Sequence, residues 1–309
     1  MSMYEEYESF LMVADYHAVT SLNNADKLRL NILNVVKDYI AIGVDPAKCV
    51  IFQQSQVQEH TELAWIFDCL VSVPFLMQGH AYKAIVEKEA NDPRGVALRN
   101  KMGETRNNAG LFTYPMLMAA DILLYDTDIV PVGEDQRQHL EYAREAAAKF
   151  NNAYGETFKQ PKELISKDIP TIPGVDGKKM SKSYQNTIPL FGTDEEIRSA
   201  VMRIVTDSTP ATEIKPISSV LVQNVISTAS VLGVNKSTLF INEIRSKPYK
   251  EGKEMYADFL IDLITPMRKK RDAISDDDVK KILKEGSNKA REYASKKMAD
   301  VRRKIGVTI

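Results

Sequence analysis

Apolar and polar residues alternate along the first half of the chain in blocks that predict strands and helices in turn. Short apolar runs at 9–14 and 49–53 are typical of buried strands. Between them, residues 27–42 carry apolar side chains at helical spacing. Residues 61–73 predict a second helix, which breaks at Pro74. Strands that alternate with helices indicate an α/β fold with a parallel sheet and helical crossovers.

The pattern becomes helical in the second half of the chain. Residues 115–125 predict a helix and residues 129–132 a short strand. From about Asp194 onward only helical patterns recur, and they end in a long helix at 277–305 with an apolar stripe on one side.

The segment 88–108 is polar and charged with turn signals, and it predicts an exposed insertion. We therefore predict two domains: an α/β domain over residues 1–190 and a helical region over residues 191–309.

Composition narrows the class of protein only slightly. A formal net charge of −1 over 309 residues gives no global nucleic-acid signal, so any contact with RNA must come from local patches. No apolar run reaches the roughly 18 residues that span a bilayer. Cys49 and Cys69 fit neither a disulfide framework nor a zinc motif, and we expect two free, buried thiols in a cytoplasmic protein without a membrane partner.

One carboxylate stands out on the helix predicted at 115–125. Tyr114, Met118, Asp121 and Tyr125 fall on one face at helical spacing. A carboxylate within an apolar stripe costs several kcal/mol unless a donor meets it. Either a protein group or a ligand therefore satisfies Asp121.

Two lysines three positions apart form the second chemical feature. Lys179 and Lys182 follow a segment with one proline and two glycines, residues 172–177, which we expect to let the loop swing. Two ammonium groups on such a loop can clamp a polyphosphate. A basic surface loop is the alternative interpretation. The full stretch reads Lys179-Met180-Ser181-Lys182-Ser183.

Both features resemble a known enzyme family. The five residues from Lys179 to Ser183 match the signature loop of class I aminoacyl-tRNA synthetases, and residues 113–139 closely resemble tryptophanyl-tRNA synthetase. The resemblance runs from about Tyr7 to about Pro189. It implies a Rossmann-like parallel-sheet catalytic domain, a helical anticodon-binding domain and a homodimer. The implied reaction uses ATP and Mg²⁺ to join L-tryptophan to tRNA(Trp).

The resemblance also implies a role for each site residue. Asp121 accepts the indole N–H of tryptophan, Met118 belongs to the same pocket, and Gln136 with Tyr114 holds the amino acid's ammonium group. Lys179 and Lys182 stabilise the leaving pyrophosphate and are the catalytic residues. ATP is bound by Gly133, Glu134, Asp135, Ile172, Lys179, Met180, Ser181, Lys182 and Ser183.

Two other functions stay open. A tyrosyl-type synthetase also sets an aspartate against its substrate's polar tip, but its usual Gly-Gly-Ser-Asp-Gln reads Val-Gly-Glu-Asp-Gln at 132–136 here. The second of these functions is that of a non-catalytic paralogue, which binds tryptophan or a partner. Its support is that the family's His-Ile-Gly-His signature, expected before Tyr7, is not in this sequence, but we favour the tryptophan enzyme.

Basic residues cluster at 268–271 and 296–304 in the helical region. Such runs are usually solvated helix faces. By resemblance this region reaches the tRNA anticodon, and charge reversal at either cluster is then expected to weaken tRNA binding.

The absent signature yields a first prediction. Class I synthetases grip ATP from two sides, and the signature segment supplies one of them. We expect the 309-residue chain to bind tryptophan weakly and to fail in tryptophan-dependent ATP–pyrophosphate exchange, whereas a chain extended upstream succeeds. Robust exchange by the purified 309-residue chain alone would contradict this expectation.

Overall fold

The computed structural model describes residues 6–79, 83, 108–133, 137–164, 172–181, 184–234 and 238–308. Contacts divide the chain into two compact units: residues 1–165 with 274–309, and residues 166–273. This division differs from the predicted boundary at residue 190, because the last helix groups with the first unit and the lysine loop with the second. The anticodon-binding role of the helical region stays a prediction.

All strands that the structure describes lie in the first unit and pair in parallel, as predicted. They are β1 (Ser9–Val13), β2 (Cys49–Gln53), β3 (Ile129–Pro131) and β4 (Lys162–Leu164). Ser9 lies opposite Cys49 in the β1–β2 pair, and Ile129 lies opposite Lys162 in the β3–β4 pair. The two pairs form separate two-stranded sheets rather than one continuous sheet.

Helices make up most of the described chain. In chain order they are α1 (Asp15–Val19), α2 (Ala25–Ala41), α3 (Glu59–Asp68), α4 (Val73–Leu76), α5 (Ala109–Leu123), α6 (Arg137–Tyr154), α7 (Asp194–Met202), α8 (Val220–Val231), α9 (Thr238–Ser246), α10 (Tyr249–Asp272) and α11 (Asp276–Ile305). The helical character predicted from Asp194 onward is confirmed for the described residues. No described helix is both long and apolar enough to span a membrane.

Helix α3 is shorter than predicted. It ends at Asp68 rather than near Val73, and Pro74 lies in the first turn of α4. Proline is favoured there because the first turn leaves its N–H groups without a partner in any case. The residue after α3, Cys69, is exposed, so the prediction of two buried thiols is correct for Cys49 and wrong for Cys69.

Helix α5 begins earlier than predicted, at Ala109 rather than Pro115. The side chain of Asn108 caps it by accepting a hydrogen bond from the Leu111 N–H at 2.9 Å. The cap starts the helix one and a half turns before the proline. The predicted insertion at 88–108 otherwise lies outside the described residues.

The last helix, α11, matches its prediction to within one residue and closes over the strands of the first unit. Ser275 and Asp278 form a capping box at its start. Its closest approach is at Gly286, where an added Cβ atom would lie 1.9 Å from the Ile51 carbonyl oxygen in β2. Only glycine allows this spacing between helix and strand.

The second unit has an apolar core of its own, built from its helices. The buried Tyr256 of α10 lies in this core, and its hydroxyl hydrogen-bonds Thr228 of α8 at 2.9 Å. Other core residues are Ile197, Val201, Leu221, Val225, Ile244, Leu260 and Ile264.

The close approach at Gly286 gives a second prediction. Helix propensity and packing predict opposite signs for the change in the free energy of unfolding. Helix propensity alone favours Ala over Gly by about 1 kcal/mol. The clash with Ile51 predicts the reverse: Gly286→Ala lowers the free energy of unfolding by about 1–3 kcal/mol, the usual cost of overpacking. Urea unfolding followed by circular dichroism measures it. Asn288→Ala, on the exposed side of the same helix, is the control and leaves stability unchanged or raised. A stabilised Gly286→Ala variant would contradict the packing.

Candidate functional site

The side chain of Asp121 in α5 is 7% exposed and lies where three other segments meet. His17 of α1 contacts its Oδ2 through Nε2 at 2.8 Å. His60 of α3 contacts Oδ1 through Nδ1 at 2.5 Å. Gln54, directly after β2, donates to both carboxylate oxygens at 2.9 and 3.0 Å. The segments after β1 and β2 thus converge on one carboxylate, as expected for the carboxyl ends of parallel strands.

These donors keep Asp121 ionised. Burial alone raises its pKa, but the hydrogen bonds from His17 and His60 outweigh burial and hold the pKa below the usual value. The sequence left open whether a protein group or a ligand satisfies this carboxylate, and the structure supplies protein donors. His17 is the most accessible of them, with 21% of its side chain exposed, whereas His60 is fully buried.

His60 connects Asp121 to Tyr125. Its Nε2 lies 2.8 Å from the Tyr125 hydroxyl, and its ring stacks on Phe52 at 5.9 Å. Burial, with the nearby Asp121 charge, raises the pKa of Tyr125, so the phenol keeps its proton and is able to donate it to Nε2. A neutral His60 ring that accepts at Nε2 carries its proton on Nδ1 and donates it to Asp121. A hydrogen bond from Tyr125 thus favours the tautomer that holds the carboxylate.

Tyr114 lies two turns before Asp121 on α5 and borders the same cluster. Its hydroxyl lies 2.6 Å from His139 Nε2 in α6, and its ring meets that of His17 edge to face at 6.2 Å. Met118 lies between them in sequence and is half-buried. His17 and His60 therefore join Tyr114, Asp121 and Tyr125 into one cluster, and His139 adds a contact to Tyr114.

Asp15 and His17 lie two positions apart just after β1, and their side chains have different partners. Asp15 is buried and accepts hydrogen bonds from Gln53 at 2.7 Å and from the Ser55 hydroxyl at 2.5 Å. It ties the end of β1 to the end of β2, whereas His17 reaches Asp121.

Gln54 and His60 were not among the site residues predicted from sequence. A signal for them existed, since both follow β2 at its carboxyl end, where polar side chains of a parallel sheet gather. Neither belongs to a recognisable local motif.

Four predicted nucleotide- and substrate-binding positions, 133–136, follow β3 in the sequence. Gly133 is exposed, two residues beyond the strand. Glu134, Asp135 and Gln136 lie outside the described residues. Their predicted contacts with ATP and tryptophan stay predictions.

The lysine loop lies in the second unit and is folded as a small hairpin. Pro173 forms an isolated antiparallel bridge with Lys179, and the Met180 N–H donates to the Ile172 carbonyl at 3.1 Å. Gly177 turns the chain at φ 81°. The glycine segment expected to let the loop swing is thus closed by hydrogen bonds.

Lys179 extends from this hairpin into solvent. Its side chain is exposed and forms no ion pair with any residue that the structure describes. Ser181 is half-buried, and Lys182 and Ser183 lie outside the described residues. The hairpin therefore offers at least one free ammonium group for an anion.

The two basic clusters differ in how their charges are used. In α11, Arg302 forms a bidentate pair with Glu62, and Lys297 pairs with Asp126 at 2.6 Å. Lys304 and Arg303 share Asp300. In α10, by contrast, Lys269 and Lys270 are exposed and form no ion pair among the described residues. The α11 cluster mainly serves intramolecular contacts, and the α10 cluster leaves charges for a partner.

Comparisons with known proteins agree with the family resemblance found in the sequence. The family model of class I tRNA synthetases (W and Y) matches residues 1–284. The tryptophan–tRNA ligase of Fusobacterium nucleatum is 41% identical over 99% of this chain and 90% of its own length. The corresponding protein of Rhodopirellula baltica is 39% identical over 99% of this chain and 92% of its own length.

A solved structure extends the likeness to the fold. The tryptophanyl-tRNA synthetase of Campylobacter jejuni, complexed with ADP and tryptophan, matches with a TM-score of 0.86 at 34% identity. The match covers 99% of this chain and 92% of that one. The chain therefore belongs to the class I tRNA synthetases for tryptophan and tyrosine, and within that family to the tryptophan–tRNA ligases.

Proposed function

We propose that this chain activates tryptophan with ATP to form tryptophanyl-adenylate and transfers the tryptophan to tRNA(Trp). The observation that carries the proposal is the buried, ionised carboxylate of Asp121, held by three donors in the unit with the parallel strands. Tryptophan–tRNA ligases 41% and 39% identical to the chain support the same substrates.

Asp121 recognises the indole. The indole N–H is the side chain's only polar group and needs one acceptor in an otherwise apolar pocket. An ionised carboxylate is the stronger acceptor, and Asp121 stays ionised because His17 and His60 hold its pKa low. The indole N–H shares Oδ2 with His17, the most accessible of the carboxylate's protein partners. Met118 contributes to the pocket, and Tyr114 with Gln136 holds the ammonium group of the amino acid.

The lysine loop acts on ATP. The tryptophan carboxylate attacks the α-phosphorus, the bond to the β-phosphate bridging oxygen breaks, and pyrophosphate leaves. Lys179 and Lys182 stabilise the charge that gathers on the pyrophosphate. No general base is required, because the attacking carboxylate is already deprotonated. Gly133, Glu134 and Asp135 contact the ribose. Ile172, Met180, Ser181 and Ser183 complete the nucleotide contacts.

Magnesium enters this reaction with its nucleotide. The described residues include no group of three His, Cys, Asp or Glu side chains placed to hold a metal ion. Mg²⁺ is hard and keeps phosphate oxygens and water as ligands. We therefore treat MgATP as the substrate, and the protein's part is to bind and orient it.

A tyrosyl-type enzyme is the second candidate, since an aspartate also suits a phenol. The two relatives that are 41% and 39% identical to this chain, both tryptophan–tRNA ligases, favour tryptophan. Met118, Ala119 and Ala120 likewise replace the bulkier polar residues typical of tyrosyl enzymes.

We also propose a homodimer. Large apolar side chains are exposed on the consecutive helices α3 and α4 and at the residue that follows α4: Trp65 is 68% exposed, Val73 58% and Met77 50%. Aromatic and apolar side chains left in water on adjacent elements are typical of a protein interface. The two free thiols suit the reducing cytoplasm, where we place the protein.

Asp121→Ala generates the third prediction. Loss of the acceptor weakens tryptophan binding by about 1–3 kcal/mol, because the indole N–H and the protein donors lose their partner. ATP binding without tryptophan stays near normal. Calorimetry on the upstream-extended chain of the first prediction measures both. Asp121→Asn covers the case in which the alanine variant does not fold, and Asp128→Ala, which removes an exposed carboxylate beyond α5, is the control. Unchanged tryptophan affinity would leave Asp121 a purely structural residue.

The fourth prediction concerns the lysine pair. Lys179→Ala and Lys182→Ala each slow adenylate formation by ~10²–10³-fold, the effect typical of losing one transition-state charge partner. Tryptophan affinity barely changes. Lys178→Ala removes an adjacent exposed lysine and leaves the rate unchanged. Equal losses in tryptophan binding and in rate would place the lysines in the amino-acid pocket instead.

The fifth prediction concerns whether Lys269 and Lys270 of α10 contact the phosphates of the tRNA. Lys269→Glu with Lys270→Glu weakens tRNA binding, and the salt dependence of the affinity becomes shallower by about one for each lysine–phosphate interaction that the reversal removes. Filter binding across a salt series measures the slope. Lys284→Glu, an exposed lysine of α11 without an ion-pair partner among the described residues, is the control. Identical slopes before and after reversal would exclude Lys269 and Lys270 as phosphate-binding residues.

A further inference from the structure

Asn186 lies seven positions beyond Lys179 and is the buried polar residue at the base of the lysine hairpin, with 2% of its surface exposed. The residue just before it, Gln185, is exposed and has a positive φ of 52°. The chain therefore turns sharply as it leaves the loop and directs Asn186 inward.

Every polar group of the Asn186 side chain is used by the hairpin. Its Oδ1 accepts the Ser181 N–H at 2.7 Å. Its Nδ2 donates to the Lys179 carbonyl at 3.1 Å and to Asp176 Oδ1 at 2.7 Å. The backbone carbonyl of Asn186 also accepts a hydrogen bond, from the Val175 N–H at 2.9 Å. One residue thus ties the two arms of the hairpin together.

Gly174 is shaped around this side chain. A Cβ atom at Gly174 would lie 2.2 Å from Asn186 Nδ2 and 2.4 Å from its Cγ. No φ in the left-handed region constrains Gly174, so the close approach of Asn186 is what requires glycine there.

Asp176 completes the arrangement as a charged acceptor. It is exposed, and the hydrogen bond from Asn186, aided by the Lys178 N–H at 3.0 Å, holds its pKa below the usual value. A carboxylate that stays ionised at neutral pH keeps a strong acceptor on Asn186 Nδ2.

We propose that Asn186 is the positioning residue of the lysine loop: it fixes the backbone on both sides of Met180, and so sets the direction in which Lys179 meets a phosphate. The proposal rests on the proposed function of the loop in ATP binding. Asn186 itself touches no substrate, because its side chain is buried and its polar groups are all engaged.

A positioning role and a merely structural role predict different losses. If Asn186 only stabilised the fold, its removal would lower the melting temperature and leave the rate per folded molecule intact. If it positions the loop, the rate of adenylate formation falls while tryptophan affinity is unchanged, since misplacing a catalytic group by about 1 Å costs up to ~10²-fold.

The test uses the upstream-extended chain of the first prediction. It measures single-turnover adenylate formation, tryptophan affinity and hydrogen exchange of the Ser181 amide. We expect Asn186→Ala to slow adenylate formation by ~10–10²-fold, with tryptophan affinity within about twofold and faster exchange at Ser181. Gln185→Ala, the exposed neighbour, is the control and leaves all three unchanged.

A double-mutant cycle covers the case in which one variant folds poorly. Gly174→Ala pushes Asn186 aside and should cause the same rate loss on its own. With Asn186 already truncated to alanine, the contacts at 2.2 and 2.4 Å are gone and only the Cβ of residue 186 remains, 2.9 Å from the added methyl, so the second substitution adds much less than its own rate loss. Rate losses that multiply would mean that the two residues act independently and would overturn the proposal.

Lys179→Ala separates this proposal from the proposed function. If Lys179→Ala is slow and Asn186→Ala matches the native rate, the positioning role is wrong and the lysine loop stands. If both variants match the native rate, the ATP role of the loop is wrong as well.

Discussion

The first unit is organised around a carboxylate that must stay charged inside the protein. An ionised group out of contact with water needs several donors, and those of Asp121 come from α1, the end of β2 and α3. Each donor is itself held in place, His60 by Tyr125 and by the ring of Phe52. The segments that follow β1 and β2 therefore meet α5 at one point. The same cluster that stabilises this junction presents the acceptor of the proposed indole site.

The second unit combines an exposed charge with internal polar contacts. Its hairpin keeps Lys179 in solvent and places the polar contacts that shape the loop inside, on Asn186. An exposed ammonium group carries no desolvation cost, and it is attracted electrostatically to a phosphate that binds. A backbone held by internal hydrogen bonds needs no reordering when the phosphate binds. Recognition of the amino acid and stabilisation of charge on ATP thus depend on separate sets of contacts.

Local sequence patterns predicted the elements well and the long-range contacts poorly. The strand at 49–53 is found as Cys49–Gln53, because a short apolar run between turns has few alternatives. The need of Asp121 for a donor was also predictable from its apolar neighbours. Its donors were not, because Gln54 lies 67 positions and His60 61 positions away in sequence, and only the convergence of strand ends brings them together. The start of α5 was predicted at Pro115 and was wrong, because the cap at Asn108 begins the helix at Ala109.

The central claim is that the ionised carboxylate of Asp121 recognises tryptophan by accepting a hydrogen bond from the indole N–H. The most direct measurement compares the affinities of tryptophan and of its benzothiophene analogue, which replaces the N–H by sulfur, in the native chain and in Asp121→Asn. A site built to accept this hydrogen bond rejects the analogue. The native chain is expected to prefer tryptophan by about tenfold or more, equivalent to about 1.4 kcal/mol, and Asp121→Asn to lose most of that preference. The same preference in both proteins would contradict the claim.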